Sequence, residues 1–390
     1  MSNEQNLQAT PAMPNQHYYT GIQVNLSPLA VSEQESARLA FLTNNLGDCY
    51  EPELCPLPNT MTQEREAVEA VAGWLDLPAG DCWGYIGGGS TLGNLQGMWM
   101  GAALMRDATL VFSKAAHYSV YKFASALNFR RVKIIDALPT GEIDPHDLER
   151  QVEHGEAIVL VLTAGTTMTS AYDAVGSCVE VLSVNECPFY LHLDAALGGF
   201  VVPFLSEEQL PNKYDYTFRH PAISSMTIST HKVLGTPMPA NIFIARQSVV
   251  DRFKTVVNGV PYLGDLRDIT VYGSRDGFRA TVVYNRLKGI NHDIVRNWVV
   301  TGVSQAHQVA QALRERGVDG AFAVPGGLAT VIPLHSFERT FDVQHRQYLI
   351  DKYHLVQDAR VIHMYMMSHV TPAICDEFMS DCQNPLYADA

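Results

Sequence analysis

The feature that most narrows the fold is a series of short, continuously apolar runs separated by longer helix-compatible stretches. The runs at 83–86, 109–112, 132–135, 158–162, 189–193, 226–228 and 242–245 are mostly apolar and β-branched, and most do not alternate with polar residues. A strand exposed on one face alternates, whereas a strand covered by helices on both faces does not. Seven such runs with helical spacers predict an α/β chain built on a predominantly parallel, doubly wound sheet. Ligands of such sheets sit beyond the carboxyl ends of the strands. The chemically distinctive residues of this chain follow the apolar runs.

The flanks read differently. Residues 1–16 form a polar stretch with no apolar run behind a basic flank, which predicts a disordered leader rather than a signal peptide. Residues 17–60, rich in Asn, Pro and Tyr, read as an ordered arm. A helix is expected over 62–75, with Val68, Val71 and Leu75 at helical spacing. After about Tyr284 the pattern becomes a long helix (306–316), an alternating segment (324–334), a helix (343–352) and a strand (361–366). The expected organisation is a large domain over 61–283 and a small α+β C-terminal domain over 284–390, which suits a 390-residue chain.

Charge and cysteine content exclude several classes of function. A formal charge of −14 argues against nucleic acid or an acidic membrane as partner, because phosphate binding needs clustered Lys and Arg. The seven cysteines are odd in number and form no C-x-x-C pair, so reduced thiols in a cytoplasmic protein are expected rather than a disulfide framework or zinc site. No stretch approaches the roughly 20 apolar residues that span a bilayer.

Four short segments carry chemistry. Lys232, in Ser229-Thr230-His231-Lys232, follows the 226–228 run and precedes a Gly- and Pro-rich turn. A lone lysine at a strand end is ordinarily a solvated charge. Here the flanking hydroxyls and histidine suit an aldehyde cofactor held as an imine, with Ser229 and His231 on its phosphate. Asp194 ends the 189–193 run; it is either a capping residue or the carboxylate that keeps a pyridine nitrogen protonated, with the small Ala195 and Ala196 leaving room for a flat ring. His192 shares a face with Asp194 and could supply half a metal site, but no further ligands stand at suitable spacing, so no metal is expected.

Gly87-Gly88-Gly89-Ser90-Thr91 lies between a strand and a helix expected to begin near Asn94, where backbone N–H groups could cradle phosphate. The spacing fits neither G-x-G-x-x-G nor a Walker loop, because position 92 is Leu and no Gly-Lys-Ser/Thr follows. His117-Tyr118-Ser119 follows the 109–112 run; His117 is either a core histidine or a ring that stacks on a planar cofactor. Phosphate loop, histidine, aspartate and lysine, in that order, are the parts of a pyridoxal 5'-phosphate (PLP) site.

These residues resemble the PLP-dependent group II amino-acid decarboxylases, which have the aspartate-aminotransferase fold (fold type I). The nearest subgroup is that of the bacterial PLP-type histidine decarboxylases and plant serine decarboxylases. The resemblance runs from about residue 18 to 382. It rests on Asn44-Asn45-Leu46-Gly47-Asp48, Gly93-Asn94-Leu95, His117-Tyr118-Ser119-Val120, Gly141-Glu142-Ile143-Asp144 and Gly165-Thr166-Thr167. Asp194-Ala195-Ala196-Leu197, His231-Lys232, Gly273-Ser274-Arg275 and His369-Val370-Thr371 continue it.

The resemblance implies a mostly parallel seven-stranded sheet, Lys232 as the imine lysine, Asp194 as partner of the pyridinium, and His117 and Ala196 on the two ring faces. It implies Ser90, Thr91, Ser229 and His231 on the phosphate, Thr166 near the ring hydroxyl, and Asn25 and Asn45 near the substrate. It further implies a homodimer whose 262–275 segment serves the neighbouring site, with Tyr262, His117 or Lys232 returning the proton to the α-carbon. The family's Thr-Glu-Gly-Asn is Thr91-Leu92-Gly93-Asn94 here, and its Gly-Tyr-Pro-x-Asn is Gly21-Ile22-Gln23-Val24-Asn25. The implied reaction is decarboxylation of an L-amino acid, with histidine the first substrate and serine or a small aliphatic amino acid next. The alternatives are an aldehyde synthase, a transaminase or a carbon–sulfur lyase on the same cofactor.

Overall fold

A computed structural model describes residues 15–27, 32–37, 40, 42–55, 57–261, 267–290 and 292–383. The seven expected runs form one sheet: β1 (Cys82–Gly87), β2 (Thr109–Ser113), β3 (Val132–Ile135), β4 (Ile158–Thr163), β5 (Phe189–Asp194), β6 (Ile223–Ser229) and β7 (Asn241–Arg246). Their spatial order is β1-β7-β6-β5-β4-β2-β3. β7 pairs antiparallel with both β6 and β1, and all other pairings are parallel.

Burial explains the unbroken apolar runs. Every residue of β1, β2 and β4 is buried. Successive side chains go to opposite cores: Ile158, Leu160 and Leu162 to one, Val159 and Val161 to the other. Each buried aliphatic side chain contributes about 1.5–3 kcal/mol, so a polar substitution on either face is costly. β3, at the sheet's edge, is the exception, with Val132 and Ile134 exposed.

The helix before β1, α1 (Met61–Trp74), begins one residue before the expected 62–75 and buries Glu64, Ala67, Val68, Val71 and Ala72 along one stripe. Its Glu64 forms a buried ion pair with Arg275, at 2.9 Å from Nε and 3.1 Å from Nη2. Arg275 lies in the strand Ser274–Asp276, which pairs with Asn44–Leu46, so the arm and the segment beyond 267 are tied to α1. The helix after β1, α2 (Ser90–Leu104), starts four residues earlier than the Asn94 expectation. Gly89, at φ 118°, lets the chain turn directly from the strand into its first turn.

Beyond residue 290 a 24-residue helix, His292–Glu315, replaces the shorter 306–316 expectation, because its polar first turns conceal Val295, Val299 and Val303 on the buried stripe. It packs on a three-stranded sheet of Ala329–Pro333, Val361–Tyr365 and Val356–Gln357. These elements and the helices Val343–Tyr353 and Pro372–Asp381 share a separate core around Phe337, Tyr353 and Phe378. The expected leader lies outside the described residues up to position 14, and Gln16–Tyr18 forms a single 3-10 turn.

Candidate active site

The carboxyl edge of the sheet carries a cavity of about 200 Å³. Register explains its composition. Gly87 and Ser229 both pair with Asn241, and Asp194 pairs with Thr163 on one side and Thr227 on the other. The ends of β1, β4, β5 and β6 therefore lie side by side, with the start of antiparallel β7 among them. Lining the cavity are Ser90, Thr91, His117, Asp194, Ala196, Ser229, His231 and Lys232, eight residues singled out in the sequence.

The Lys232 amine is partly buried and donates to Gln23 Oε1 at 2.6 Å. Burial pushes it down to about 8, against the opposing pull of Asp194. Asp194 is buried; its Oδ1 accepts the Ala196 N–H at 3.1 Å, and its Oδ2 accepts Asn94 Nδ2 at 2.7 Å. His117 caps the helix α3 (Tyr118–Ala126), its Nδ1 accepting the Ser119 N–H at 3.2 Å. Burial and then nearby Lys232 lower its ring below the usual histidine range, while Asp194 opposes them.

Ser90 Oγ, on the first residue of α2, and Ser229 Oγ, on the last residue of β6, stand 2.8 Å apart. The first N–H groups of a helix have no partner within it, so this end suits an anion. The glycines before it are not free donors, because Gly88 N–H donates to Tyr272 Oη at 2.7 Å and Gly89 N–H to Asn241 Oδ1 at 2.9 Å. An anion here would meet the helix end and its hydroxyls rather than the Gly88 and Gly89 N–H groups. A carboxylate, an amine of lowered basicity, an imidazole and an anion-ready helix end in one cavity fit PLP.

Three expected residues are placed elsewhere. Thr166 is buried with its hydroxyl engaged by Thr169 Oγ1 at 2.9 Å and the Ala171 N–H at 3.0 Å; Thr163, Gly165 and Thr167 line the cavity instead. Asn25 donates to the Val233 carbonyl at 3.0 Å and accepts the Ser27 N–H, bracing the loop after Lys232 without lining the cavity. Asn45 donates to Glu64 Oε2 at 2.8 Å and accepts the Thr60 N–H, inside the buried network around Arg275. Tyr262 lies outside the described residues. Two residues missing from the sequence reading of the site are Gln23, which departs from the family's proline, and Asn94, the bridge between Asp194 and His192.

The family described as pyridoxal-dependent decarboxylase conserved domain matches residues 94–325. The chain belongs to that family. As a member it is a PLP-dependent amino-acid decarboxylase. The decarboxylase is 32% identical over 286 residues to a histidine decarboxylase of Vibrio campbellii, covering 72% of this chain and 71% of the relative. A histidine decarboxylase of Morganella morganii is 28% identical over 304 residues, covering 76% and 77%. Among solved structures, L-methionine decarboxylase from Streptomyces sp. 590 superposes with a TM-score of 0.75 at 19% identity, covering 94% of this chain and 92% of that one. A Lactobacillus brevis glutamate decarboxylase gives 0.73 at 17%, covering 94% and 87%. Both share the α/β fold of the decarboxylase.

Proposed function

We propose that this decarboxylase converts L-histidine to histamine and CO₂, with Lys232 carrying the cofactor's aldehyde carbon. The observation that supports the lysine is its setting. It is an amine of lowered basicity in the same cavity as a buried carboxylate and a hydroxyl-rich helix end. The histidine assignment is supported by the named activity of the relatives at 28–32% identity.

PLP, when bound, accepts the electron pair left on the α-carbon as CO₂ departs. Asp194 would pair with the ring nitrogen and favour its protonated form, with His117 and Ala196 beside the ring. Ser90, Thr91, Ser229 and His231 would hold the phosphate. Lys232 Nζ returns a proton to the α-carbon. Its lowered basicity suits proton exchange near neutral pH, and Gln23 Oε1 provides a fixed acceptor for the freed amine.

Residues 61–283 are read as the PLP-binding domain and 284–390 as the small domain, in a homodimer with shared sites. All seven cysteines are free, which supports a reducing cytoplasm. Among the described residues no helix is long and apolar enough to cross a membrane.

The test is a panel of carboxyl-labelled L-amino acids with added PLP, followed by identification of the product. Histamine with stoichiometric CO₂ is expected. A different amine overturns the substrate, and an aldehyde with ammonia and peroxide overturns simple decarboxylation.

A further inference from the structure

Asn94 touches Asp194, Ser119 and His192 at once, and each contact has one chemically allowed direction. The Asp194 carboxylate oxygen accepts, so the atom 2.7 Å from it is the amide nitrogen; a flipped amide would set oxygen against oxygen. The second amide hydrogen goes to Ser119 Oγ at 3.0 Å. The amide oxygen is left 3.1 Å from His192 Nε2, which must therefore carry a proton.

Burial pushes His192 down to about 4, so its ring is neutral and its Nδ1 bare. Ser225 Oγ, 2.8 Å away, donates to Nδ1, and Tyr190 Oη donates to Ser225 at 2.7 Å. On the other branch, the Ser119 backbone N–H can only donate, so His117 Nδ1 is also bare. The Ser119 hydroxyl, already accepting from Asn94, gives its own proton to the same nitrogen at 2.7 Å. The ring proton of neutral His117 is left on Nε2.

We propose that Asn94 is a positioning residue that sets the protons of both histidines. Tyr190, Ser225, His192 and Asn94 form a one-way donor chain ending on Asp194, while Ser119 holds His117 in its Nε2–H form. The packing leaves the chain little freedom. A Cβ at Gly97 would stand 2.3 Å from His192 Nδ1, and Phe243 stacks on the histidine ring with centroids 6.1 Å apart. With Ala196 N–H on one Asp194 oxygen and Asn94 on the other, the carboxylate is fixed in orientation. The effect on the cofactor rests on the proposed role of Asp194, whereas the proton positions do not.

Neutron diffraction from deuterium-exchanged crystals of the full chain without cofactor reads the protons directly. Deuterium is expected on Nε2 of both His117 and His192 and on neither Nδ1; deuterium on either Nδ1 overturns the assignment. A second measurement reads the link to the cofactor, by titrating the Ser225→Ala and Ser225→Thr variants with PLP and following its absorbance. Ser225→Ala should bind PLP about tenfold more weakly, the scale of one lost hydrogen bond in a charged network, and Ser225→Thr should restore it. Equal affinity in all three proteins overturns the link. If the proton positions hold at the same time, the fault lies with the role of Asp194.

Discussion

Lys232 and Gln23 stand 209 positions apart in the chain and meet at 2.6 Å, amine to carboxamide oxygen. The carboxamide cannot turn over, because its nitrogen donates to the Thr166 carbonyl at 3.2 Å and to the Tyr365 hydroxyl. An arm residue thus presents a fixed acceptor to the lysine, and the small sheet's Tyr365 holds the arm in place. The reactivity of Lys232 is set jointly by the arm, the large sheet and the small C-terminal sheet.

A lysine held near 8 predicts when the cofactor attaches. The protonated amine cannot attack an aldehyde, so attachment of added PLP should quicken as pH rises toward 8 and level off above it. An exposed lysine would go on gaining until about 10.4. Gln23→Leu removes an acceptor that favours the charged form, so the midpoint should move to lower pH. Stopped-flow absorbance across pH 6–10 (roughly the span between ordinary histidine and lysine pKa values) measures both. Lys232→Ala should abolish the visible absorbance of the attached cofactor together with CO₂ release.

Ser90 and Ser229 should matter only to a ligand that carries phosphate. Replacing both by alanine is expected to weaken PLP binding about tenfold or more, the scale of lost charge-assisted hydrogen bonds. Binding of pyridoxal, which lacks the phosphate, should hardly change. Parallel titrations with the two aldehydes check this, and an equal loss for both would remove the hydroxyls from the anchor.

The Glu64–Arg275 pair predicts an asymmetry in stability. Glu64→Leu leaves a buried guanidinium without its counter-charge and should cost about 3–5 kcal/mol in urea unfolding. The double variant Glu64→Leu, Arg275→Met should recover most of that loss, because neither charge is then stranded.

Gly97 leaves no room for a methyl group, since an added Cβ would overlap the His192 ring. Gly97→Ala should lower stability by about 1–3 kcal/mol through overpacking. The loss should be visible in thermal melting, and PLP affinity should fall as the ring is displaced from Asn94.

Much of this could be read in the chain, and the reason is local. Runs such as 158–162 are apolar at every position because both faces are buried, so the runs with their helical spacers point to a helix-covered sheet. Asp194, Ser229 and Lys232 were visible because they come directly at or after strand ends. Gln23 was not, because nothing near it in sequence points to a lysine 209 positions away. The same holds for Tyr272, whose hydroxyl takes the Gly88 N–H of the glycine loop 184 positions earlier. Asn25 and Asn45 lie outside the cavity lining for the converse reason: an asparagine in an irregular arm can serve other protein groups as readily as a ligand.

One edge strand of the large sheet, β1, is hydrogen-bonded to β7, so the helix start carrying Ser90 takes its place only after the chain has passed residue 246. Ser229 and Lys232 wait on the same pairing. A polypeptide emerging from the ribosome therefore has no grip on PLP until the whole sheet exists. Cofactor capture then stabilises the finished sheet by mass action rather than guiding its assembly. Vitamin B6 supply should accordingly govern how long completed molecules survive in the cell, and leave the rate at which they are made untouched.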